Sequence, residues 1–452
     1  MSVSTPNDPN RFQAFDRRRF LRGAGISVAG SALSSVVAIK GADAATSPAP
    51  TFQPDDWASV RSQFELDPNY LHFAAPVLAS HPRPVRNAIE RHRAGLDNNT
   101  IPYLHATEAS AEAAIFKAAT AYMGPASEGL ALTDSTTMGL GILYGGVGVA
   151  PGDELLTTTH DFYSTHESLR LRAEQGGATV RKISLFARPE RATTGEILTS
   201  VKRGIRDQTR VLAITWVHSS TGLKLPVREI ADLVEEINAK RPHNDKVLLC
   251  LDAVHGFGVE AASPAELGAD FFISGCHKWL FGPRGTGLIW GKGAAWSRTH
   301  ATIPTFDPRG IVAWLEGHPP TDLPQGAAMT PGGFHSFEHR WALAEAFEFQ
   351  SAIGKQRVEA RTHELNTLLK QGLRSIDGIT LITPMSEDMS AGLTVFDVAG
   401  RAPSDVVDTL EQEFRIVASV TPYAEPHVRL ATSILNSEDE VDEVLIALKT
   451  LV

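Results

Sequence analysis

Two residues suited to covalent cofactor chemistry each follow an apolar stretch of the chain. Asp252 ends the stretch 247–251, and Lys278 comes shortly after the stretch 271–273, just before a glycine-rich bend. If both stretches are strands of an open α/β sheet, both residues lie at the carboxyl-end crevice, where such sheets bind ligands. A lysine amine forms a Schiff base with an aldehyde, and a carboxylate keeps a pyridine nitrogen protonated so that the ring withdraws electrons. The pair therefore predicts pyridoxal 5′-phosphate (PLP) as the cofactor, with Lys278 as the catalytic residue and Asp252 beside the ring nitrogen.

The elements that must position this pair alternate between strand and helix. Apolar stretches typical of buried strands occur at 130–132, 154–158, 179–184, 211–217, 247–251, 271–273 and 287–290, with helical patterns at 165–175 and 227–239 between them. After residue 333 the pattern changes to helices at 338–353 and 355–376, strands at 379–382, 393–397, 416–420 and 427–431, and a helix at 438–451. This alternation predicts an α/β fold whose larger domain has a mostly parallel sheet, with a smaller C-terminal α/β domain.

The first 44 residues have the composition of a secretory leader. Arg17 and Arg18 precede a Phe-Leu pair at 20–21, a mildly apolar stretch follows at 23–39, and Ala-Asp-Ala at 42–44 fits a cleavage site with small residues. The twin arginine predicts a Tat signal, with the Tat translocase as a partner during export and a periplasmic or secreted location. A disordered basic tail is the alternative. The apolar stretch is too short, and too interrupted by glycine and serine, for a stable membrane span.

Length and composition limit what the rest of the chain can be. The length of this remainder is greater than one typical hydrophobic core accounts for. We therefore predict a short linker at 45–69, a large PLP-binding domain at 70–333 and a small C-terminal domain at 334–452. A formal net charge of -10 argues against a nucleic-acid surface. The presence of only two cysteines, Cys250 and Cys276, excludes a disulfide framework, and no cysteine–histidine spacing of the zinc type occurs. We therefore expect no metal site and no nucleic-acid partner.

The chain from about Tyr70 to its C-terminus resembles the class V aminotransferases, which are fold-type I PLP enzymes that include cysteine desulfurases and isopenicillin N epimerase-like proteins. The motifs that carry the resemblance are, in chain order, His-Ser-Ser-Thr-Gly at 218–222, Asp-x-x-His at 252–255, Cys-His-Lys-Trp at 276–279 and Gly-Phe-His-Ser-Phe-Glu-His-Arg-Trp at 333–341. The first, third and fourth of these resemble the epimerase-like branch in particular. The resemblance implies fold type I, PLP bound through Lys278, and a homodimer with shared sites.

One end of the implied site would hold the phosphate group. Thr136 and Thr137 open a helix after a strand, and hydroxyls with free N–H groups at a helix N-terminus favour an anion. The resemblance implies that both threonines, together with His277, hold the phosphate of PLP; simple N-capping of the helix is the alternative for the threonines. By the same resemblance His160 stacks on the pyridine ring, with His166 as a nearby competitor for that role.

Three further positions face the ring of the cofactor in relatives. Asp252 matches the acid at the pyridine nitrogen, and His255 matches the glutamine or histidine that touches the phenolic oxygen. Many relatives place an asparagine at the position of Ser219, where it also contacts that oxygen. The shorter hydroxyl of Ser219 serves through the same edge or through a water molecule, or the loop is mainly structural.

Two positions later in the chain complete the implied site. Thr330 lies where relatives donate a threonine across the dimer interface to the partner's phosphate, and a Pro-Gly turn follows it in either case. Arg429 resembles the arginine that holds the substrate α-carboxylate, for which a planar fork is well suited. A solvated strand arginine is the alternative for Arg429.

The motifs leave the reaction more open than the cofactor. Cysteine desulfurases need a mobile catalytic cysteine shortly before the carboxylate-binding arginine, and none occurs at 414–427. The sequence therefore predicts an exported PLP enzyme that acts on a small-molecule or peptide amine, in aminotransferase- or epimerase-like tailoring of a secondary metabolite. A C–S lyase that acts on a cysteine derivative and a non-catalytic PLP-binding scaffold are the alternatives. Retention of Lys278, Asp252 and Arg429 argues against the scaffold.

Overall fold

The computed structural model describes residues 52–125 and 129–452. The predicted leader at 1–44 and the first part of the predicted linker lie outside the described residues, so the Tat signal, the export partner and the location stay predictions. Within the described ranges, none of the helices combines the length and the apolar character that a membrane crossing needs.

The strands divide between two main sheets and one short pair. In chain order they are β1 (Leu71–His72), β2 (Leu130–Thr133), β3 (Glu154–Thr158), β4 (Thr179–Ile183), β5 (Thr209–Thr215), β6 (Leu248–Asp252), β7 (Phe271–Gly275), β8 (Gly287–Gly291), β9 (Ile379–Leu381), β10 (Leu393–Val398), β11 (Ile416–Val417), β12 (Ser419–Val420) and β13 (Val428–Ala431). Each strand predicted for the larger domain is present, although the strand predicted at 211–217 begins and ends two residues earlier, at Thr209–Thr215.

A seven-stranded sheet forms the centre of the larger domain. Its order is β2-β8-β7-β6-β5-β3-β4; β8 runs antiparallel to both of its neighbours, and the remaining pairs are parallel. The central strands are apolar on both faces because helices cover both. In β5, Leu212 and Ile214 join one core cluster and Val211 and Ala213 join the other. The predicted α/β architecture with a mostly parallel sheet is confirmed.

Helices surround this sheet and cover the smaller one. In chain order they are α1 (Trp57–Arg61), α2 (Arg83–Asn98), α3 (Thr100–Met123), α4 (Thr136–Gly146), α5 (Tyr163–Gly176), α6 (Thr194–Gly204), α7 (Val227–Asn238), α8 (Pro264–Leu267), α9 (Gly293–Trp296), α10 (Pro308–Glu316), α11 (Gln325–Ala328), α12 (Phe337–Trp341), α13 (Leu343–Ile353), α14 (Lys355–Arg374), α15 (Pro403–Phe414) and α16 (Glu438–Lys449). Short 3-10 turns occur at Pro189–Arg191, His243–Asp245 and Glu387–Met389.

The structure differs from the predicted helix at 338–353, which it divides at Ala342. This residue has φ -81° and ψ 4°, so the helical hydrogen bonding is interrupted between α12 and α13. The large side chains on either side of the break contact different groups. Trp341 packs edge-on to His92 with ring centres 5.4 Å apart, whereas Leu343 belongs to the core beside the sheet.

The smaller domain is built on an antiparallel sheet of order β12-β13-β10-β9. The strand predicted at 416–420 is two short strands, because the chain changes its pairing partner at Ala418. β11 pairs in parallel with β1, and β12 pairs with β13. Phe73, which follows β1, lies in the core of the smaller domain. The first residues of the predicted larger domain thus contact the smaller one, and the predicted boundaries of the two domains stay a prediction.

Candidate active site

The acid and the lysine come together because β6 and β7 are neighbouring parallel strands. Asp252 is the last residue of β6 and is in register with Ile273 of β7, and Lys278 follows the end of β7. The Asp252 side chain accepts a hydrogen bond from the N–H of Val254 at 3.1 Å, which turns the chain at the end of β6. The sequence prediction that these two residues meet at the carboxyl ends of two strands agrees with this arrangement.

The carboxyl group of Asp252 is buried without a close cation. Burial raises the pKa of Asp252 to about 6, although the N–H of Val254 and the charge of Lys278 act in the opposite direction. Asp252 is only 2% exposed. A buried carboxylate of this kind is stabilised by a positive partner, and a protonated pyridine nitrogen is such a partner. The residue therefore fits the role that the sequence assigns to it.

Lys278 is half-buried and its amine is easily deprotonated. Burial and the nearby charge of Arg429 lower the pKa of Lys278 to about 8. Its Nζ lies 3.3 Å from Nε2 of His255. An amine with a pKa near 8 is partly neutral in ordinary buffers, and only the neutral amine attacks an aldehyde. The site thus supplies a nucleophile for a carbonyl cofactor.

His255 occupies a buried position between Lys278 and Trp279. Its Nδ1 accepts a hydrogen bond from the indole Nε1–H of Trp279 at 3.2 Å. Burial, followed by the charge of Lys278, holds the pKa of His255 well below its usual range. The ring is therefore neutral and is held next to the lysine nitrogen.

The first turn of α4 and the segment after β7 form a narrow cradle. Ser135 is the N-cap and accepts from the N–H of Met138, while the Thr136 hydroxyl accepts from the N–H of Gly275 at 2.8 Å. A Cβ on Gly275 would lie 2.8 Å from Cε1 of His277 and 3.0 Å from Oγ1 of Thr136. The helix is therefore already capped by Ser135, and a glycine is required where Thr136 and His277 approach each other.

An unpaired imidazole nitrogen lies in this cradle. Among the described residues, Nδ1 of His277 is buried and has no hydrogen-bond partner. Burial lowers the pKa of His277 to about 4. Thr137, on the same first turn, is exposed. Free N–H groups at a helix N-terminus and an unpaired imidazole suit an oxygen-rich anion, so these residues fit the phosphate group of PLP.

His160 and His166 have different surroundings. One face of the His160 ring stacks on Phe186, with ring centres 4.0 Å apart, and its Nε2 accepts from the N–H of Leu185 at 3.3 Å. His166 has both ring nitrogens engaged, Nε2 with the main-chain oxygen of Thr158 and Nδ1 with Lys182. Of the two rings, His160 is the one that takes part in stacking, and its assignment to the pyridine ring stays a prediction.

Ser219 contacts two residues of the predicted smaller domain. Its hydroxyl lies 2.7 Å from the hydroxyl of Tyr423, and its main-chain oxygen accepts from Nη1 of Arg429 at 3.2 Å. The Arg429 Nε donates to Oγ of Ser419 at 3.1 Å. The hydroxyl of Ser219 is therefore already paired with a phenol from the predicted smaller domain, and its role at the cofactor stays a prediction.

The guanidinium of Arg429 is buried without a counter-ion. The residue is 5% exposed, and none of the described carboxylates forms an ion pair with it. Burial lowers its pKa to about 10. A buried, unpaired cation is costly, and a carboxylate ligand would remove that cost. Two N–H groups of Nη2 and one of Nη1 are available for this purpose, which suits end-on carboxylate binding.

Thr330 has its hydroxyl engaged within its own chain. The hydroxyl accepts from the N–H of Leu132 at 3.0 Å and donates to the main-chain oxygen of Gly326 at 3.0 Å. Its predicted role at the phosphate of a partner subunit stays a prediction. The nearby Phe334 is 91% exposed.

Four residues near the site were not identified from the sequence. Trp279 and Tyr423 contact His255 and Ser219 as described above. Asp161, next to His160 in sequence, is buried and accepts from the hydroxyl of Thr157 at 2.7 Å. His218 is fully buried, and neither ring nitrogen has a partner among the described residues. Trp279 and His218 belong to motifs already recognised, whereas nothing in the sequence connects Tyr423 with a serine 204 positions earlier.

A separate cluster away from this site has the composition of a metal site. Ligand atoms of Glu260, Glu359 and His363 lie within 4.8 Å of one another. The ammonium of Lys224 lies 2.7 Å from Glu260, and His363 binds the other oxygen of that carboxylate at 2.7 Å. Glu260 is thus already neutralised by the protein, and we assign no ion to the cluster.

The fold and the site define a PLP-dependent enzyme of the α/β class. The sequence model of the family "Aminotransferase class-V" matches residues 70–421. The chain therefore belongs to the class V aminotransferase family, as the sequence motifs predict, and its cofactor is PLP.

Similar proteins come from more than one branch of this family. Isopenicillin N epimerase of Amycolatopsis lactamdurans is 25% identical over 414 residues, which cover 87% of this chain and 98% of the relative. A probable cysteine desulfurase of Vibrio cholerae serotype O1 is 24% identical over 341 residues, covering 72% of this chain and 78% of the relative. Among solved structures, the cystine C–S lyase C-DES with glycine covalently linked to its PLP has a TM-score of 0.77 at 20% identity and covers 86% of this chain and 98% of its own.

Proposed function

We propose that this chain is an exported enzyme that uses PLP to transform an amine next to a carboxylate, in an epimerase- or aminotransferase-like tailoring reaction on an amino acid or peptide-type metabolite. The observation that carries the proposal is the unpaired, buried guanidinium of Arg429. It is close enough to Lys278 to lower the pKa of that lysine. A substrate with a carboxylate at Arg429 would place its neighbouring amine in the region of Lys278.

The residues of the site divide the work as follows. PLP, when bound, withdraws electrons from the carbon next to an amine bonded to it. Asp252 would hold the proton on the pyridine nitrogen, and Thr136 and His277 would hold the phosphate. Lys278 would bond to the aldehyde carbon and, once displaced by the substrate amine, would move the α-proton as a general base. A pKa near 8 for Lys278 suits both tasks.

The burial of both thiols favours an epimerase-like reaction over desulfuration. Cys250 and Cys276 are both buried. Burial raises the pKa of the Cys276 thiol to about 12 and that of Cys250 well above its ordinary value. A thiol accepts sulfur as the thiolate, so neither residue is a suitable acceptor. The isopenicillin N epimerase relative also matches over a larger share of this chain, 87%, than the desulfurase does, 72%.

We also propose that two copies of the chain associate. Helix α10 presents Ile311, Val312, Trp314 and Leu315 to solvent, and Trp314 is 75% exposed. An exposed apolar helix face of this kind is typical of an association surface. Light scattering should give the mass of a dimer, and Trp314→Asp together with Leu315→Lys should give a monomer. A monomeric wild-type protein would contradict this part of the proposal.

A product assay in heavy water tests the reaction. The PLP-loaded enzyme is incubated with amino acids, L-cystine and peptides with a free N-terminus, and chiral chromatography and mass spectrometry identify the products. An inverted α-centre that carries deuterium supports epimerisation, and a keto acid supports transamination. Pyruvate with a sulfur product from cystine would instead identify a C–S lyase, which also needs no thiol. No exchange with any substrate would leave the non-catalytic scaffold as the better interpretation.

A further inference from the structure

Trp279 makes one directional contact beside the candidate catalytic lysine. Only 2% of the residue is exposed, and its indole Nε1–H donates to Nδ1 of His255 at 3.2 Å. An indole nitrogen can donate a hydrogen bond but cannot accept one. Nδ1 of His255 must therefore carry a lone pair and not a proton.

The proton of His255 must then be on the other ring nitrogen. Burial, and after it the charge of Lys278, keeps the pKa of His255 well below its usual range, so the ring is neutral and has a single N–H. That N–H is on Nε2, which lies 3.3 Å from Nζ of Lys278. The ring presents a donor to the lysine nitrogen.

We propose that Trp279 is a positioning residue that keeps His255 in the Nε2–H form, and so makes His255 a fixed hydrogen-bond donor at the nitrogen of Lys278. The inference rests on the proposed function only in taking the nitrogen of Lys278 as the one that binds the cofactor. A donor stabilises a lone pair, so His255 in this form favours the lysine nitrogen without its proton and cannot take a proton from it. The opposite tautomer would accept from the protonated nitrogen and favour it.

Packing holds the indole in the orientation that this contact needs. The main-chain oxygen of Trp279 accepts from Nε2 of Gln350 at 2.8 Å. Gly392, just before β10 in the smaller domain, leaves room for the far edge of the ring, because a Cβ there would lie 2.6 Å from Cη2 of the indole. An alanine at position 392 would displace the ring while leaving its N–H present.

A pH titration of the visible absorption band of the PLP-loaded enzyme tests the inference. Trp279→Phe keeps an aromatic ring but removes the N–H, so His255 can carry its proton on Nδ1. The midpoint of the titration should rise by about one pH unit, the effect of one lost hydrogen bond. Trp296→Phe is the matched control, because Trp296 is also buried and its indole nitrogen has no partner among the described residues. A midpoint that moves no more in Trp279→Phe than in this control overturns the proposal.

A double replacement separates positioning from packing. If Trp279 acts through His255, Trp279→Phe should have no further effect in a His255→Gln background, where the amide can donate without a choice of tautomer. An equal shift in both backgrounds would mean that the indole acts through packing alone, and the proposal would be wrong.

Nitrogen NMR of the full chain without PLP keeps this test independent of the proposed function. The His255 signals, assigned by their loss in His255→Gln, should show a protonated Nε2 and an unprotonated Nδ1. A proton on Nδ1 in the wild type overturns the inference, even if Trp279→Phe does not fold. If the expected tautomer is present but the protein forms no visible band through Lys278, the proposed function fails and the positioning role stands.

Discussion

Arg429 donates from Nη1 to the main-chain oxygen of Ser219 at 3.2 Å, although the two residues lie 210 positions apart. Arg429 belongs to β13 of the smaller domain, and Ser219 lies in the loop after β5 of the larger sheet. With Arg429 in its proposed role, the substrate end of the site is built by both predicted domains, whereas Asp252 and Lys278 belong to the larger one. This division determines what each replacement below should change.

Arg429→Ala should still form the linkage between PLP and Lys278 but should weaken the binding of the substrate. The residue does not touch the Lys278 linkage. Its loss would leave the carboxylate of the bound substrate without its buried cationic partner, which costs roughly 2–5 kcal/mol. Arg429→Lys should restore little, because an ammonium lacks the planar fork. Spectral titration with an amino-acid substrate measures the dissociation constant. Unchanged binding would indicate a larger substrate whose reacting amine has no carboxylate held at this position.

The uptake of PLP should depend on pH with a midpoint near that of Lys278. The pKa of this lysine is lowered from 10.5 to about 8, and only its neutral form attacks the aldehyde. The rate of PLP incorporation should therefore rise up to about pH 8 and then level off. Arg429→Ala should move the midpoint upward, since the charge of Arg429 helps to lower the pKa of Lys278. Stopped-flow absorbance gives the rates, and a midpoint near 10.5 in the wild type would contradict the assignment.

Asp252→Asn should retain PLP but lose most of its turnover. A neutral amide cannot hold the proton on the ring nitrogen, and the loss of such electrostatic stabilisation costs on the order of 10² or more in rate. Turnover under saturating PLP is the measurement. Near-normal activity would mean that Asp252 only turns the chain at the end of β6.

The same replacement should stabilise the protein without PLP at high pH. Burial raises the pKa of Asp252 from 3.8 to about 6, so the folded state binds the proton more tightly than the unfolded chain does. Wild type therefore loses stability as the pH rises through this window, and asparagine does not. Chemical denaturation should show Asp252→Asn to be more stable by up to about 3 kcal/mol at about pH 8, with no gain below about pH 4. A gain that is the same at both pH values would argue against the titration of Asp252.

Part of this arrangement could be predicted from residue pattern alone. Apolar stretches ending in Asp252 and leading to Lys278 predict two strands, and parallel neighbours bring their carboxyl ends together. The contact of Tyr423 with Ser219 could not be predicted, because it depends on how the smaller domain packs on the larger one. The division of the strand predicted at 416–420 has a similar origin, since β11 pairs with β1 from the other end of the chain.

Export is predicted from the sequence of the leader alone. Replacement of Arg17 and Arg18 by lysine should keep the precursor in the cytoplasm, because the Tat translocase reads the arginine pair. Cell fractionation and immunoblotting check this, with the wild-type chain as the control. Normal appearance of the wild-type protein in the periplasm of a strain without the translocase would show that the leader is not a Tat signal.

The most direct test of the central claim is to locate the bond between the protein and PLP. The full chain purified with PLP should be yellow, and borohydride reduction followed by digestion and mass spectrometry should find the cofactor on the peptide that contains Lys278. Lys278→Ala should abolish this attachment, while Lys370→Ala, which replaces a fully buried lysine, should leave it on the same peptide. Attachment to a different lysine, or a protein that stays colourless and takes up no PLP, would contradict the account.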